Sequence, residues 1–190
     1  MSDLVPIVPV DGESLLLRDG RYSRLRAITP ASKPLLAAAI RRMSPESLRR
    51  RFFSPRRELS EIELERLTAM DGWNRYALGL CTTAADGTLE GIGVARFARL
   101  PDDPRAAEIA ITVVDAYQGQ GLGKALLARL FAAAMTRGIE GLQAIVLPDN
   151  APIFSLFAKY VPQAHWRHTG DHFAADIPLL VSAMPVRAAA

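Results

Sequence analysis

Residues 109–127 join an apolar β-type run, Ile109-Ala110-Ile111-Thr112-Val113-Val114, to an apolar helix through a turn with three glycines in five residues. A strand that feeds a helix through Gly119, Gly121 and Gly123 limits the fold to one with an α/β unit whose helix opens beside the end of a strand. Glycines remove the Cβ atoms that would keep an anion off the backbone. Successive N–H groups can then point at that anion from a helix end carrying partial positive charge. The turn reads as a holder of phosphate.

Spacing discriminates among phosphate loops. A nucleotide-hydrolysing P-loop needs glycine at 118 and Ser or Thr at 125, where this chain has Gln118 and Ala125. A dinucleotide fingerprint needs glycine at 124, which is Lys124. What remains, Gln118-Gly119-Gln120-Gly121-Leu122-Gly123, resembles the Gln/Arg-x-x-Gly-x-Gly/Ala pyrophosphate loop of the GCN5-related N-acetyltransferase (GNAT) family. The resemblance implies acetyl-CoA as co-substrate, with its diphosphate on Gln118 to Gly123 and Lys124 close by. It also implies that main-chain groups of the preceding strand, at Val113 and Val114, pair with the pantetheine arm. Asn150 matches the asparagine that relatives use near the pantetheine amides.

A chain of 190 residues with nearly half its residues apolar suits one domain with a sizeable core. No apolar run approaches the ~18 residues that span a bilayer, and Met1-Ser2-Asp3-Leu4 lacks the basic start of a secretory signal, so a cytoplasmic protein is expected. Cys81 is the only cysteine, which excludes an internal disulfide framework. His165, His168 and His172 lack a matched carboxylate or cysteine pattern, so no metal is expected. The net charge of +3 is mildly basic and favours an anionic ligand without calling for nucleic acid. Seven arginines between Arg41 and Arg57 precede four glutamates, Glu58 to Glu65, and read as two solvated helices pairing across each other. Dimerisation is compatible with the sequence, which offers no interface.

Pro6 and Pro9 mark residues 1–12 as a loose arm, and residues 181–190 as a tail, around one domain over 13–180. Strands over 14–18 and 22–28 flank Asp19-Gly20, a dipeptide suited to a type I′ turn. Helices follow from Ser32 to Arg42, from the Ser44 cap to Phe53, and from the Ser60-Glu63 capping box to Met70. Strands over 76–82 and 89–97, a loop at Pro101 and Pro104, and a strand over 106–114 lead into the glycine turn. Helix 121–136, strand 142–147, helix 152–159 and strands near 164–168 and 173–180 complete the order ββαααββ(β)αβαββ. This is an α/β (α+β) chain with a mixed, mainly antiparallel sheet and helices on both faces. Over about residues 13–180 it resembles the acyl-CoA N-acyltransferase fold.

Acetyl transfer needs an aligned thioester, a proton acceptor for an amine whose pKa is near 10, and some means of releasing the thiol. Ala-Glu-Ile-Ala-Ile-Thr-Val, residues 107–113, resembles the segment carrying the catalytic glutamate of bacterial protein lysine acetyltransferases, which makes Glu108 the candidate base. Many relatives place a tyrosine seven residues after the asparagine. Here that position is Phe157, and Tyr160 three residues on is the substitute candidate for the acid, although core packing is the expected job of its ring. Lys124 and Arg129 are expected near the phosphates.

The run Met43 to Ser54, followed by Leu59 to Leu64, is similar to the helical region of the same bacterial subgroup. The resemblance therefore implies acetyl transfer to a primary amine, with a protein lysine as first acceptor. A small amine such as a polyamine or antibiotic is the alternative, and would be favoured by an acidic acceptor pocket. From another class, Phe157 and Val161-Pro162 motivate an acyl-CoA sensing module without turnover.

Overall fold

The computed structural model describes residues 12–179. Residues 1–11 of the expected arm, Leu180 and the tail lie outside the described residues. Alternation sets the first elements. In β2 (Tyr22–Ala27) Ser23 and Leu25 are buried and Tyr22, Arg24 and Arg26 are exposed, so one face of the strand meets the core. It pairs with β1 (Ser14–Leu16) and with β3 (Arg75–Thr83), whose residues Tyr76 to Thr82 are all buried. Then come β4 (Leu89–Leu100), β5 (Asp103–Val113), β6 (Gly141–Val146), β7 (His165–Thr169) and β8 (His172–Pro178). The sheet runs β1-β2-β3-β4-β5-β6-β8-β7, and only β5 and β6 are parallel.

Five helices cover it: α1 (Lys33–Arg41), α2 (Pro45–Phe52), α3 (Glu61–Thr68), α4 (Leu122–Met135) and α5 (Ala151–Tyr160). Both N-caps anticipated from sequence form. Ser44 Oγ accepts from the Ser47 N–H, and Ser60 and Glu63 close a reciprocal capping box. A β-bulge between Leu80 and Cys81 decides which helix meets β4. Gly93 lies opposite Leu80 and Gly91 opposite Cys81, so the two glycines face opposite sides. A side chain on Gly91 would meet Leu35 of α1, and one on Gly93 would meet Leu126 of α4. Leu78, Leu80, Phe97, Leu126, Leu130 and Ile177 are almost wholly buried, each worth about 1.5–3 kcal/mol of burial.

Three local expectations need correction. In the β1–β2 turn only Gly20 has positive φ, so the turn is not type I′. The Leu17 N–H donates to Arg21 O and the Gly20 N–H to Leu17 O, which makes a three-residue loop with glycine at its left-handed position. Pro104 lies inside β5, because Leu100 already pairs with Asp103 and a proline near a strand start forfeits no ladder bond the sheet needs. The arginine cluster pairs with the following helix in part: Arg56 meets Glu63 at 2.6 Å, whereas the other ion pairs of the cluster go elsewhere. Arg49 and Arg50 engage Asp149 beyond β6, and Arg42 reaches Glu90 on β4 at 2.5 Å. Of the two tryptophans, Trp73 is exposed under the Arg99 guanidinium and Trp166 packs between Phe154 and Phe157.

Candidate active site

Parallel pairing of β5 and β6 stops at Glu108 opposite Gln143, although both strands continue. Beyond that point they diverge, and a cleft of about 620 Å³ opens between them, α2, the glycine loop and α5. All six residues from Glu108 to Val113 line it, whichever face their side chains take, because they present a strand edge. The direction of that edge follows from one bond. The Val114 N–H donates to Ile92 O at 2.9 Å, so Val113–Gly93 and Ile111–Ala95 are pairs whose amides turn away from β4. The main chain of Ile111 and Val113 therefore faces the cleft. Val114, expected to offer its amide, has it committed to β4, and its side chain is buried on the α1 side.

The loop that closes the cleft is held by its own side chains. Gln118 Nε2 donates to Val113 O at 3.0 Å, and Gln120 Oε1 accepts from the Arg18 N–H at 3.0 Å. Both glutamines thus serve the loop's shape, leaving main chain for a ligand. Tyr117 adds a third anchor, donating to Glu90 at 2.7 Å. Gly119 (φ 70°) and Gly121 (φ 82°) take conformations that a side chain would strain. Gly123 is different: it is helical, and a Cβ there would rest in ordinary contact with Leu156. The first bond of α4 runs from the Ala125 N–H to Gly121 O, so the N–H groups of Leu122, Gly123 and Lys124 precede the helical ladder. Among the described residues no acceptor takes those of Gly119, Gln120 or Gly121.

Glu108 stands exposed at the fork of the two strands. It is not the surface residue of an outer strand, since β5 is fifth of eight and its edge exists only because β6 leaves it. Asn150 occupies the N-cap position of α5, yet among the described residues its side chain makes no capping bond, and it lines the cleft. Tyr160 also lines the cleft. Its ring is 38% exposed and covered by Lys124 Nζ at 4.9 Å, so the expected core role belongs instead to Phe157, which is buried against Trp166. Arg129, expected near phosphate, is turned to Glu13 and to Ala125 O.

Sequence reasoning missed Asp115. It accepts from the Ser44 N–H (3.0 Å), the Ser44 hydroxyl (2.7 Å) and the Ser47 hydroxyl (2.8 Å), pinning the start of α2 to the glycine loop. Burial opposes its charge, but these donors win and hold the carboxyl below its ordinary range. So fixed, α2 lays Ser47, Arg50, Arg51 and Phe53 along the cleft. Burial pushes Arg51 down to about 10, while the charge of Glu108 works the other way. Arg96, opposite Ala110 and so on the face shared by Glu108 and Thr112, is pushed down to about 9 by burial and by repulsion from Arg51. No local pattern announces Asp115 or Arg96, because their partners lie far away in sequence.

Comparison with known proteins agrees with this architecture. Residues 44–160 match the acetyltransferase (GNAT) family. Over 134 residues the chain is 34% identical to Acetyltransferase Pat of Mycolicibacterium smegmatis, covering 70% of this chain and 39% of that longer relative. The chain thus spans about two fifths of the length of Pat. The GNAT domain of S. lividans PAT superposes with a TM-score of 0.75 at 30% identity, covering 87% of this chain and 96% of that one. At 18% identity, yncA of Salmonella typhimurium, described with its cofactor acetyl-CoA, shares the fold with a TM-score of 0.65, covering 87% of this chain and 99% of that one.

Proposed function

Because this chain belongs to the acetyltransferase (GNAT) family, we propose that it moves the acetyl group of acetyl-CoA to a primary amine, the side chain of a protein lysine. The observation that carries the reading is the cleft at the fork of β5 and β6, where a strand edge and a phosphate-type loop meet beside a free carboxylate. In this reading the N–H groups from Gly119 to Lys124 receive the diphosphate at the head of α4. Lys124 adds charge at the cleft mouth. Ile111 and Val113 offer main-chain groups to the pantetheine amides, as a neighbouring strand would, and Asn150 supplies a side-chain amide from the opposite wall. The resemblance of residues 107–113 and of Met43 to Ser54 to bacterial protein lysine acetyltransferases favours a protein acceptor.

Chemistry then divides among few groups. The amine lone pair attacks the thioester carbonyl carbon, the oxygen gathers negative charge, and the C–S bond breaks to give an amide and a thiolate. An N–H on the β5 edge steadies that oxygen. Glu108 takes the surplus proton of the amine, directly or through one water. Tyr160, a phenol at the end of α5 that lines the cleft, can return a proton to sulfur, the lightest of these duties because a thiol leaves well as thiolate.

The test is release of CoA thiol from acetyl-CoA with lysine peptides and a panel of small amines, on wild type and on Glu108→Gln. Acceptor-dependent release should fall by about 10²- to 10⁴-fold in the variant, the usual range for a general base. Tight donor binding with no release to any amine would replace this reading with a sensing module.

A further inference from the structure

A second cavity, of about 720 Å³, lies between α1 and the sheet and meets the first at Met43, Arg51 and Thr112. Its walls are mostly apolar, from Ile28, Leu35, Ile40 and Phe52, but its charged residues are all of one sign. Arg24 and Arg26 stand at the outer end, Arg51 and Arg96 at the inner end, and no Asp or Glu lines it among the described residues. The inner pair is poorly satisfied. Arg51 makes no hydrogen bond or ion pair among the described residues and only rests on the Phe52 ring at 4.9 Å. Arg96 gives one N–H to Leu67 O, while its Nε is buried without a partner. Thr112 Oγ1, at the junction of the two cavities, is likewise buried and unpaired.

Buried polar groups normally find partners, and a charged one left short is destabilising. Here the missing partner is an anion, set beside Glu108 on the face from which an amine would approach the fork. We propose that this cavity is the acceptor groove and that Arg51 and Arg96 bind a carboxylate next to the acceptor lysine, so that the enzyme selects lysines with an acidic neighbour. This rests on the protein-lysine reading given above. A groove continuing to Arg24 and Arg26 is larger than one side chain, which favours a peptide segment over a free amino acid. Arginine walls also repel a polyamine, whose every charge is positive. The depressed values of Arg51 and Arg96 agree with a wall waiting for negative charge.

Matched lysine peptides that differ only by Glu or Gln beside the lysine test the proposal, with kcat/KM read as release of CoA thiol from acetyl-CoA in the presence of the 190-residue protein. Wild type should prefer the acidic peptide about tenfold, the factor supplied by one charge-assisted hydrogen bond, chiefly through KM. The preference should collapse toward one in Arg96→Gln and in Arg51→Gln, survive in part in Arg51→Lys, and shrink as salt is raised. A wild-type ratio of one overturns the proposal without any variant, and so does a preference that both glutamine variants keep. Free amino acids used in place of every peptide would overturn the peptide occupant. Turnover of small cationic amines with no peptide acetylated at all would sink the lysine reading itself, an outcome distinct from peptides acetylated without acidic preference.

Discussion

Residues 111–124 and residues 43–53 line one cleft, yet they present different material to it. The first run presents main chain: the Ile111 and Val113 edge, the amides at 119–124, and glutamines turned back to hold the loop. The second presents side chains, Ser47, Arg50, Arg51 and Phe53, carried on a helix that other segments pin in place. Asp115 holds that helix at its start. Asp149 holds it through Arg49 and Arg50, from the loop just before Asn150. A main-chain site tolerates many side-chain changes and fails when its φ angles become inaccessible. A side-chain site fails piece by piece.

That contrast can be broken from either side. The largest effect is expected from Gly121→Val, which puts a β-branched residue at φ 82° and narrows access to the α4 amides. Donor affinity measured by calorimetry should drop by about 100-fold, roughly the loss of two good hydrogen bonds, with the acidic-peptide preference still readable at saturating acetyl-CoA. Unchanged donor affinity would refute the main-chain description of the loop.

Asp115→Asn should act on the other side. The amide keeps one acceptor and points N–H groups at donors, which costs about 1 kcal/mol of stability and loosens α2. Acceptor KM should rise several-fold while donor affinity holds. The pH dependence has a definite sign. Because the folded carboxyl sits below its ordinary value of 3.8, its stabilisation is complete above that value and disappears as pH falls through the lower folded one. Thermal melts of both proteins should therefore converge in strong acid and separate above pH 3.8. A constant gap at all pH would mean that the charge of Asp115 is not what holds α2.

The smallest effect should come from Tyr160→Phe. It leaves the ring under Lys124 and removes only the phenol proton, so turnover should fall by about two- to fivefold, since a thiol of pKa near 8.5 leaves unaided. A 100-fold fall would make Tyr160 an obligatory acid and bring side chains into the donor half.

Much of the geometry of the glycine loop was legible in advance because its features are local. A strand, two left-handed glycines and a helix start are local events, set by φ preferences and capping within about a dozen residues. The caps at Ser44 and Ser60 were readable on that basis, as was Glu108 as a polar residue beside the loop's strand. What failed had distant causes. Val114 lost its amide to Ile92, Arg129 turned to Glu13, and Arg49 and Arg50 of α2 found Asp149 rather than the glutamates that follow them. Asp19-Gly20 was misread for a smaller reason, since a three-residue loop and a type I′ turn both place glycine after a short polar residue.

The sequence by itself determined the order of elements, the strand-turn-helix that presents bare N–H groups, and the presence of a carboxylate on the strand leading into it, all consequences of local backbone preference. The tertiary structure alone decided where β6 leaves β5, which amides that leaves facing the cleft, and that Arg51 and Arg96 gather in the neighbouring cavity without an ion pair among the described residues. Those depend on register and on packing between segments that are far apart in the chain.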